Sequence, residues 1–284
     1  MTPGQGIALA AGVLLILVVI RSLWEPRQIR VTRQRFFGKT YEAAANQKTE
    51  PTLKILFLSD LHQDKLKIKP SKIFAAVKNL NPDIILFGGD LSAHTAFVSS
   101  AIDLLSRINE WVGGTQIPIV AVPGNHDTTE SIARMRQAGF TVLQNDSFVF
   151  PCRGETFLII GLDDPSKNQP DPIESFKKVD LEQIPADRRL LLTHNPDHVL
   201  LVPPGQIKWF FAGHFHGGQI YMPFRLEFRL LRRERAPSLG FYRGPVEWHD
   251  MTGYLTRGLG CVVIPIRLRS LPEIALIDLF LPPL

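Results

Sequence analysis

Five apolar runs in this chain end in residues that bind metals or move protons. Leu53 to Leu58 runs into Ser59-Asp60-Leu61-His62, and Ile84 to Phe87 into Gly88-Gly89-Asp90. Ile117 to Val122, closed by Pro123, runs into Gly124-Asn125-His126-Asp127. Leu190 to Leu192 is followed by Thr193-His194-Asn195, and Trp209 to Phe211 by Ala212-Gly213-His214-Phe215-His216-Gly217-Gly218. No packing rule asks for asparagine, histidine and aspartate side by side at a strand end. Asn125 offers a neutral carbonyl oxygen, His126 can carry or donate a proton, and Asp127 can fix its ring and hold it charged.

Counted as ligands, Asp60, His62, Asp90, Asn125, His194, His214 and His216 are too many for one ion. Two ions sharing a carboxylate would use them all, with Asp90 the natural bridge. The spacings Asp60-x-His62 and His214-x-His216 put both side chains of a pair on one face if extended. Mixed imidazole and oxygen donors suit manganese, iron or zinc better than calcium, with manganese the first choice. Each group alone also has an ordinary reading. Asp60 could cap a helix, Gly88-Gly89-Asp90 could be a tight turn, His194 a satisfied core histidine, and His214 and His216 a polar loop. The conjunction of all five argues for a site.

Continuous apolar runs of this length suit strands covered on both faces, as in α/β proteins. Polar residues at their carboxyl ends converge on one rim, where open α/β sheets place ligands. Between the runs, helical patterns are predicted from a Ser71 cap to about Leu80, over Ala101 to Trp111 with Gly113-Gly114 as the stop, and over Thr129 to Gln137. Phe157 to Leu162 reads as a further strand ending in Asp163-Asp164, which could orient a ligand histidine. Leu255 to Leu259 and Ile274 to Phe280 read as late strands, Gln28 to Thr32 as an edge strand, and Ala45 to Pro51 as a loop. His94 reads as a surface histidine, and Asp197 and His198 as a helix start or neighbours of the ligands. Walker and Rossmann glycine loops and a nucleophile elbow are absent, which removes the NTPase and serine-hydrolase readings.

The order D-x-H, G-D, G-N-H-D, H, G-H-x-H resembles the calcineurin-like metallophosphoesterase family, over roughly Leu53 to the C-terminus. Gly217-Gly218-Gln219 and His194-Asn195-Pro196-Asp197 resemble its subgroup of bacterial membrane-associated phosphodiesterases and the chlamydial UDP-2,3-diacylglucosamine pyrophosphatase. The resemblance implies a four-layer sandwich, two mixed β-sheets flanked by helices. It also implies that one metal takes Asp60, His62, Asp90 and His216 and the other Asp90, Asn125, His194 and His214. Two such ions polarise phosphoryl oxygens and acidify a bridging water. His126 then lies outside the ligand set and donates to a nonbridging oxygen or the leaving group, with Asp127 holding it.

With 284 residues, 45% hydrophobic and 21% charged, the chain suits one large globular domain plus an appendage. The appendage is the N-terminus, where Gly6 to Ile20 carries no charge. About 18 to 20 helical residues reach roughly 27 to 30 Å, enough to cross a bilayer core. No basic residue precedes the run and no small-x-small cleavage site follows it, so it reads as an uncleaved anchor rather than a signal peptide. Residues 1–24 are thus expected to be a transmembrane anchor, 25–52 a basic juxtamembrane segment with the edge strand, and 53–284 the catalytic domain. Arg21, Arg27, Arg30, Arg33, Arg35 and Lys39 all follow the span, which places the enzyme on the cytoplasmic side of a single-pass cell-membrane protein. Trp24 is placed to sit at the interface. A net charge of +5 fits an anionic membrane surface, and no nucleic acid is expected as a partner. Cys152 and Cys261 form no metal or redox pattern and read as free thiols.

Pro223 to Arg243 interleaves Arg225, Arg229, Arg232, Arg233, Arg235 and Arg243 with Phe224, Phe228 and Leu231. Drawn as a helix it is amphipathic. It reads either as a surface for anionic lipid beside the substrate entrance or as an ordinary helix with solvated arginines. The expectation is a membrane-anchored phosphohydrolase acting on a phosphodiester or pyrophosphate of a lipid-linked substrate such as UDP-2,3-diacylglucosamine. The rivals are a phosphodiesterase of soluble nucleotides and a metal-poor interaction scaffold of the same fold. Loss of ligands would mark the scaffold, and none is missing here.

Overall fold

Strands that are apolar on nearly every residue need a core on each side, and the chain builds three cores to provide it. The computed structural model describes residues 2–38, 50–112, 117–177 and 179–282. In β2 (Leu53–Leu58), Leu53, Ile55 and Phe57 enter the central core, while Leu56 and Leu58 enter an outer one. The same alternation divides Trp209 and Phe211 from Phe210 and Ala212 in β9 (Trp209–Ala212), with the second pair facing the opposite outer core. Period-two alternation between two apolar layers is why these runs are almost wholly apolar, with Lys54 the half-buried exception near the start of β2.

The first sheet has the order β1 (Arg30–Phe37), β12 (Glu273–Phe280), β2, β3 (Ile84–Phe87), β4 (Ile119–Ala121), β5 (Thr141–Val142). The second runs β10 (Gly244–Trp248), β11 (Met251–Leu255), β9, β8 (Arg189–Thr193), β7 (Glu155–Gly161), β6 (Asp146–Cys152). Strands β2, β3 and β4 are parallel in one sheet, and β7, β8 and β9 in the other. Antiparallel neighbours β12, β6 and β10 make both sheets mixed. The sheets face each other across the central core. Helices α2 (Pro70–Val77), α3 (Val98–Trp111) and α4 (Thr129–Gln137) cover the outside of the first. Residues from α5 (Pro172–Phe176) and α6 (Leu226–Leu231) cover the second. This is the expected four-layer sandwich.

Several boundaries differ from the sequence reading. Helix α2 begins at Pro70, which occupies its first turn where a missing N–H costs nothing, so Ser71 is not its cap. The edge strand is β1, which starts two residues later and ends five residues later than expected and, among the described residues, pairs only with β12. The strand expected at Leu255 to Leu259 ends at Leu255, because the following residues form the turn that packs on Asp60. Strands β6 and β10 have mixed polar sequence and were not expected; their alternating exposure reflects their edge positions. The glycine stop at Gly113-Gly114 and most of the loop Ala45 to Pro51 lie outside the described residues.

The largest correction is Pro223 to Arg243, which is not one helix. Phe224 and Arg225 both adopt left-handed backbone angles, and α6 ends after six residues. The arginines scatter accordingly. Arg225 stacks on Tyr242 with its guanidinium carbon 4.0 Å from the ring centre, and Arg243 on Tyr221 at 3.8 Å. Arg232 turns inward.

Helix α1 (Pro3–Trp24) is capped by Thr2 and Gln5 in a reciprocal pair of hydrogen bonds and buries none of its side chains in the protein. At about 1.5 Å per residue it is some 33 Å long, long and apolar enough to cross a bilayer. Its far end is tied to the globular part. The N–H of Arg267 donates to the Ser22 carbonyl, and the buried Glu25 carboxylate accepts from the N–H of Ser270.

Candidate metal centre

The turns leaving β2, β3 and β9 must bring side chains back over the ends of their own strands. They do so with left-handed backbone at Asp60, His62, Asp90, His214 and His216, where φ lies between 39° and 70°. Such angles are strained for residues with a Cβ and persist where the surroundings force them. Two glycines make the closure feasible. A Cβ on Gly124 would strike the Asp90 carboxylate, and one on Gly213 would strike Ser59 and the Asp60 carboxylate.

All seven expected ligands meet at the rim between the two sheets, and five of them, Asp60, His62, Asp90, His194 and His216, are buried. One group gathers Asp60, His62 and His216 within 4.8 Å. His216 Nε2 is 3.3 Å from Asp60 Oδ1. Around His194 a second group forms. Its Nε2 is 3.1 Å from Asn125 Oδ1, 3.1 Å from His214 Nδ1 and 3.3 Å from Asp90 Oδ2. Asp90 Oδ2 is also 3.3 Å from His62 Nε2, so one oxygen reaches both groups.

Tautomers test whether these residues fit a cation. His194 Nδ1 is 2.8 Å from the Gly88 carbonyl oxygen, which only accepts, so Nδ1 carries a proton. His214 Nε2 is 2.8 Å from Glu234 Oε1, which fixes its proton there. In the neutral rings the remaining nitrogens, His194 Nε2 and His214 Nδ1, then aim lone pairs at each other, at Asn125 Oδ1 and at Asp90. Four lone-pair donors facing inward repel unless positive charge lies between them. Two ligands bonded at about 2.1 Å to one ion sit roughly 3.0 to 3.4 Å apart, which is the spacing found. His62 adds a second sign: it is buried, and neither ring nitrogen has a hydrogen-bond partner among the described residues. His216 is the exception. Its Nδ1 faces Arg267 Nη2 at 3.3 Å, where only the arginine can donate, so binding a cation through Nε2 requires that contact to lapse.

Without a cation, protons take its place. Burial pushes His194 down, but the Asp90 charge beside it outweighs this and holds the ring up at about 10. Burial likewise acts upward on Asp90, and its neighbours His194 and His62 reverse that and hold it well below the ordinary range.

The two residues expected to share catalysis are not partners. Asp127 accepts from the N–H groups of Asp90, Leu91 and Gly124 at 2.8 to 2.9 Å, which occupies both its oxygens. It therefore ties the turn after β3 to the turn after β4 and does not hold the His126 ring. Burial, and then the Asp90 charge, raise it to about 6. The His126 N–H donates to Asp90 Oδ1 at 2.8 Å, and its ring lies edge-on to His62 with centroids 5.1 Å apart. Burial lowers its pKa, so the ring is neutral at pH 7 rather than charged.

Other expectations resolve similarly. Asp163 and Asp164 hold Gln144 and the Ser166 N–H and touch no ligand histidine. Asp197 caps the N–H groups of Arg235 and Ala236. His198 bonds Thr193, and His94 is exposed. Both cysteines are free thiols. Glu234 and Arg232 were missed. Glu234 orients His214 and is held down to about 2, where burial opposes but the His214 hydrogen bond prevails. Arg232 donates to the His214 carbonyl at 3.2 Å. The available signal was an acid inside an arginine run.

Comparison with known proteins agrees with this geometry. Residues 53–218 match the family model described as calcineurin-like phosphoesterase. The uncharacterised metallophosphoesterase YkoQ of Bacillus subtilis is 28% identical, covering 78% of this chain and 82% of its own. The phosphodiesterase YaeI of Escherichia coli is 29% identical over 80% and 82%. The UDP-2,3-diacylglucosamine pyrophosphatase LpxG of Chlamydia trachomatis is 25% identical over 95% and 96%. Among solved structures, the NAD nucleotidase of Haemophilus influenzae shares the fold with a TM-score of 0.51 at 16% identity, covering 73% of this chain and 45% of that one.

Two outcomes follow from the hydrogen bonds. Asp127→Asn leaves at least one buried N–H without an acceptor, a loss of about 1 to 3 kcal/mol, and should lower both urea stability and metal content; unchanged metal content would show that Asp127 does not set the Asp90 turn. Because a metal must displace the proton held at His194, loading with Mn²⁺ at pH 7 should release about one proton or more per chain. Calorimetry in buffers of different ionisation enthalpy reads this directly, and no release would contradict the protonated state of His194 in the metal-free centre.

Proposed function

We propose, for a chain that belongs to the calcineurin-like phosphoesterase family, that it hydrolyses a phosphodiester or pyrophosphate bond in a lipid-linked substrate at the membrane surface. That it is a metal-dependent hydrolase follows from the family and its phosphodiesterase and pyrophosphatase relatives. The observation that carries the finer reading is an apolar groove of about 450 Å³. Ile220, Met222, Phe228, Leu231 and Val263 line it, and Arg232 and Glu227 are its charged lining residues. Arg232 also bonds the backbone of His214, so the groove opens beside the polar centre. Leu231 and Val263 are 72% and 78% exposed, which is unfavourable in water unless something apolar covers them. An acyl chain in the groove would place its phosphate over the histidines. The likeness to LpxG, whose name specifies a diacylated sugar nucleotide, supports a UDP-2,3-diacylglucosamine-like substrate.

In this reading Asp60, His62, Asp90 and His216 hold one divalent ion, and Asp90, Asn125, His194 and His214 the other. When bound, such a pair supplies phosphoryl polarisation and a water acidified for in-line attack. The mixed donor set suits manganese, the first choice, with iron or zinc as alternatives. The protein's own part is positional. Gly88 and Glu234 fix two ring tautomers, and Asp127 sets the distance between Asp90 and Asn125. The neutral His126 gives an N–H to a nonbridging phosphoryl oxygen rather than a full proton. In this reading helix α1 crosses the cell membrane once, and the excess of arginines after it supports a cytoplasmic catalytic side.

The test incubates the purified protein and manganese with a diacylated sugar nucleotide and with a small aryl phosphodiester, identifying products by mass. His126→Ala should keep two metals and lose about 10² to 10³ in kcat. Leu231→Asp with Val263→Asp should lower the ratio of lipid to aryl kcat/KM at least tenfold. An unchanged ratio, or a substrate range confined to soluble nucleotides, would remove the lipid reading.

A further inference from the structure

Behind the His216 turn, away from the apolar groove, lies a second cavity of about 250 Å³. Five guanidinium groups line it, those of Arg21, Arg30, Arg243, Arg257 and Arg269, together with the Glu25 carboxylate. They come from five separate places in the chain: the end of α1, the first residue of β1, the approach to β10, the turn after β11 and the segment before β12. Convergence from so many elements is not the chance product of one basic run. Arg269 holds a left-handed backbone angle, φ 58°, a further sign that its place is imposed.

The charges do not balance within the protein. Arg21 pairs with Glu25 at 2.6 Å, and Arg257 pairs with Glu273 behind the cavity wall. Among the described residues, no carboxylate forms an ion pair with Arg30, Arg243 or Arg269. Arg243 is half-buried, and burial together with repulsion from Arg257 lowers its pKa. Like charges gathered in a recess call for a counter-ion. Guanidinium groups match phosphate oxygens in geometry and charge, and the volume admits a phosphate with several waters at about 30 Å³ each.

Location identifies the source. Arg21 and Glu25 sit at the end of the helix long and apolar enough to cross a bilayer. If α1 spans, the cavity mouth lies at the level of lipid phosphates. We infer that the Arg21–Arg30–Arg243–Arg257–Arg269 cavity is a binding site for the phosphodiester head group of an anionic membrane lipid, distinct from the catalytic centre. The inference rests on α1 being membrane-embedded, not on the substrate proposed above. Its inner wall is the site's own scaffold. A Cβ on Gly217 would lie 2.7 Å from Arg257 and 3.3 Å from Arg243, and Ser270 donates to the His216 carbonyl at 2.7 Å while its N–H bonds Glu25. A lipid held there fixes the height of the His216 turn above the membrane.

The test uses the full chain in non-ionic detergent micelles, titrated with phosphatidylglycerol and followed by native mass spectrometry. Wild type should retain one lipid per chain, and Arg30→Gln with Arg269→Gln should bind it at least tenfold more weakly at equal melting temperature. Arg30→Gln alone serves if the double variant unfolds, and should weaken binding at least threefold. Arg33→Gln removes an exposed charge three residues along β1 and should leave affinity within twofold. Equal lipid binding in all variants, or equal loss in Arg33→Gln, overturns the site. Arginine-dependent binding of inorganic phosphate with no retained lipid overturns the lipid as its source. Alkaline carbonate extraction of membranes separates the premise from the inference. Wild type should stay in the pellet; its release would mean that α1 does not span, and would overturn the inference on that ground.

Discussion

The approach of His194 Nε2 to His214 Nδ1 at 3.1 Å, which needs a proton or a cation between the two nitrogens, is the constraint from which the centre is built. His194 and His214 come from neighbouring strands of one sheet, while Asp90 and Asn125 come from the other. Holding four electron-rich atoms together against their repulsion demands rigid support, and the surrounding structure supplies it. Gly88 and Glu234 fix the tautomers, and Asp127 ties two turns with three backbone hydrogen bonds. Five residues accept left-handed backbone angles. The three apolar cores beneath are what make such strain tolerable, because the strand ends cannot shift without opening a close-packed interior. A divalent cation would reverse the sign of the main repulsion, so the same geometry that costs free energy when empty becomes a strong binding site when filled.

The centre is also mechanically linked to helix α1, which is long and apolar enough to cross a bilayer. Glu25 at the end of α1 bonds Ser270, and Ser270 bonds the His216 and Gly217 carbonyls. Glu25 itself lines the arginine cavity, and Gly218, next to the bonded Gly217 carbonyl, lines the apolar groove. Apolar surface beside the centre and cationic surface at the end of α1 are what the proposed action on a lipid-linked substrate at a bilayer would require. The arginines of the segment around α6 play a smaller part in this than their number suggests, since two stack on tyrosines and one supports His214.

Much of the site was legible in the sequence because the chemistry is carried by residue type at strand ends. An unbroken apolar run must be buried on both faces, and a polar cluster at its end must then lie on the rim. That logic located all seven ligand candidates and an α/β fold, while the four-layer sandwich came from the family resemblance. It failed where function depends on side-chain direction. Adjacent residues suggested that Asp127 serves His126, yet neighbouring side chains at a turn diverge, and the buried carboxylate went to backbone donors instead. Glu234 was hidden because its partner His214 is 20 residues earlier and meets it only through the fold. The long arginine-rich helix was read from periodicity alone, which carries no information about left-handed breaks at Phe224 and Arg225. The edge strands β6 and β10 escaped notice for the converse reason: exposed on one side, they lack an apolar run.

The most direct measurement is anomalous scattering from crystals of the protein loaded with manganese. Two peaks about 3.5 to 4 Å apart are expected, both within bonding distance of Asp90, one flanked by His62 and His216 and the other by His194, His214 and Asn125. A single peak at full loading, or two peaks that do not share Asp90, would contradict the account of how this centre is built.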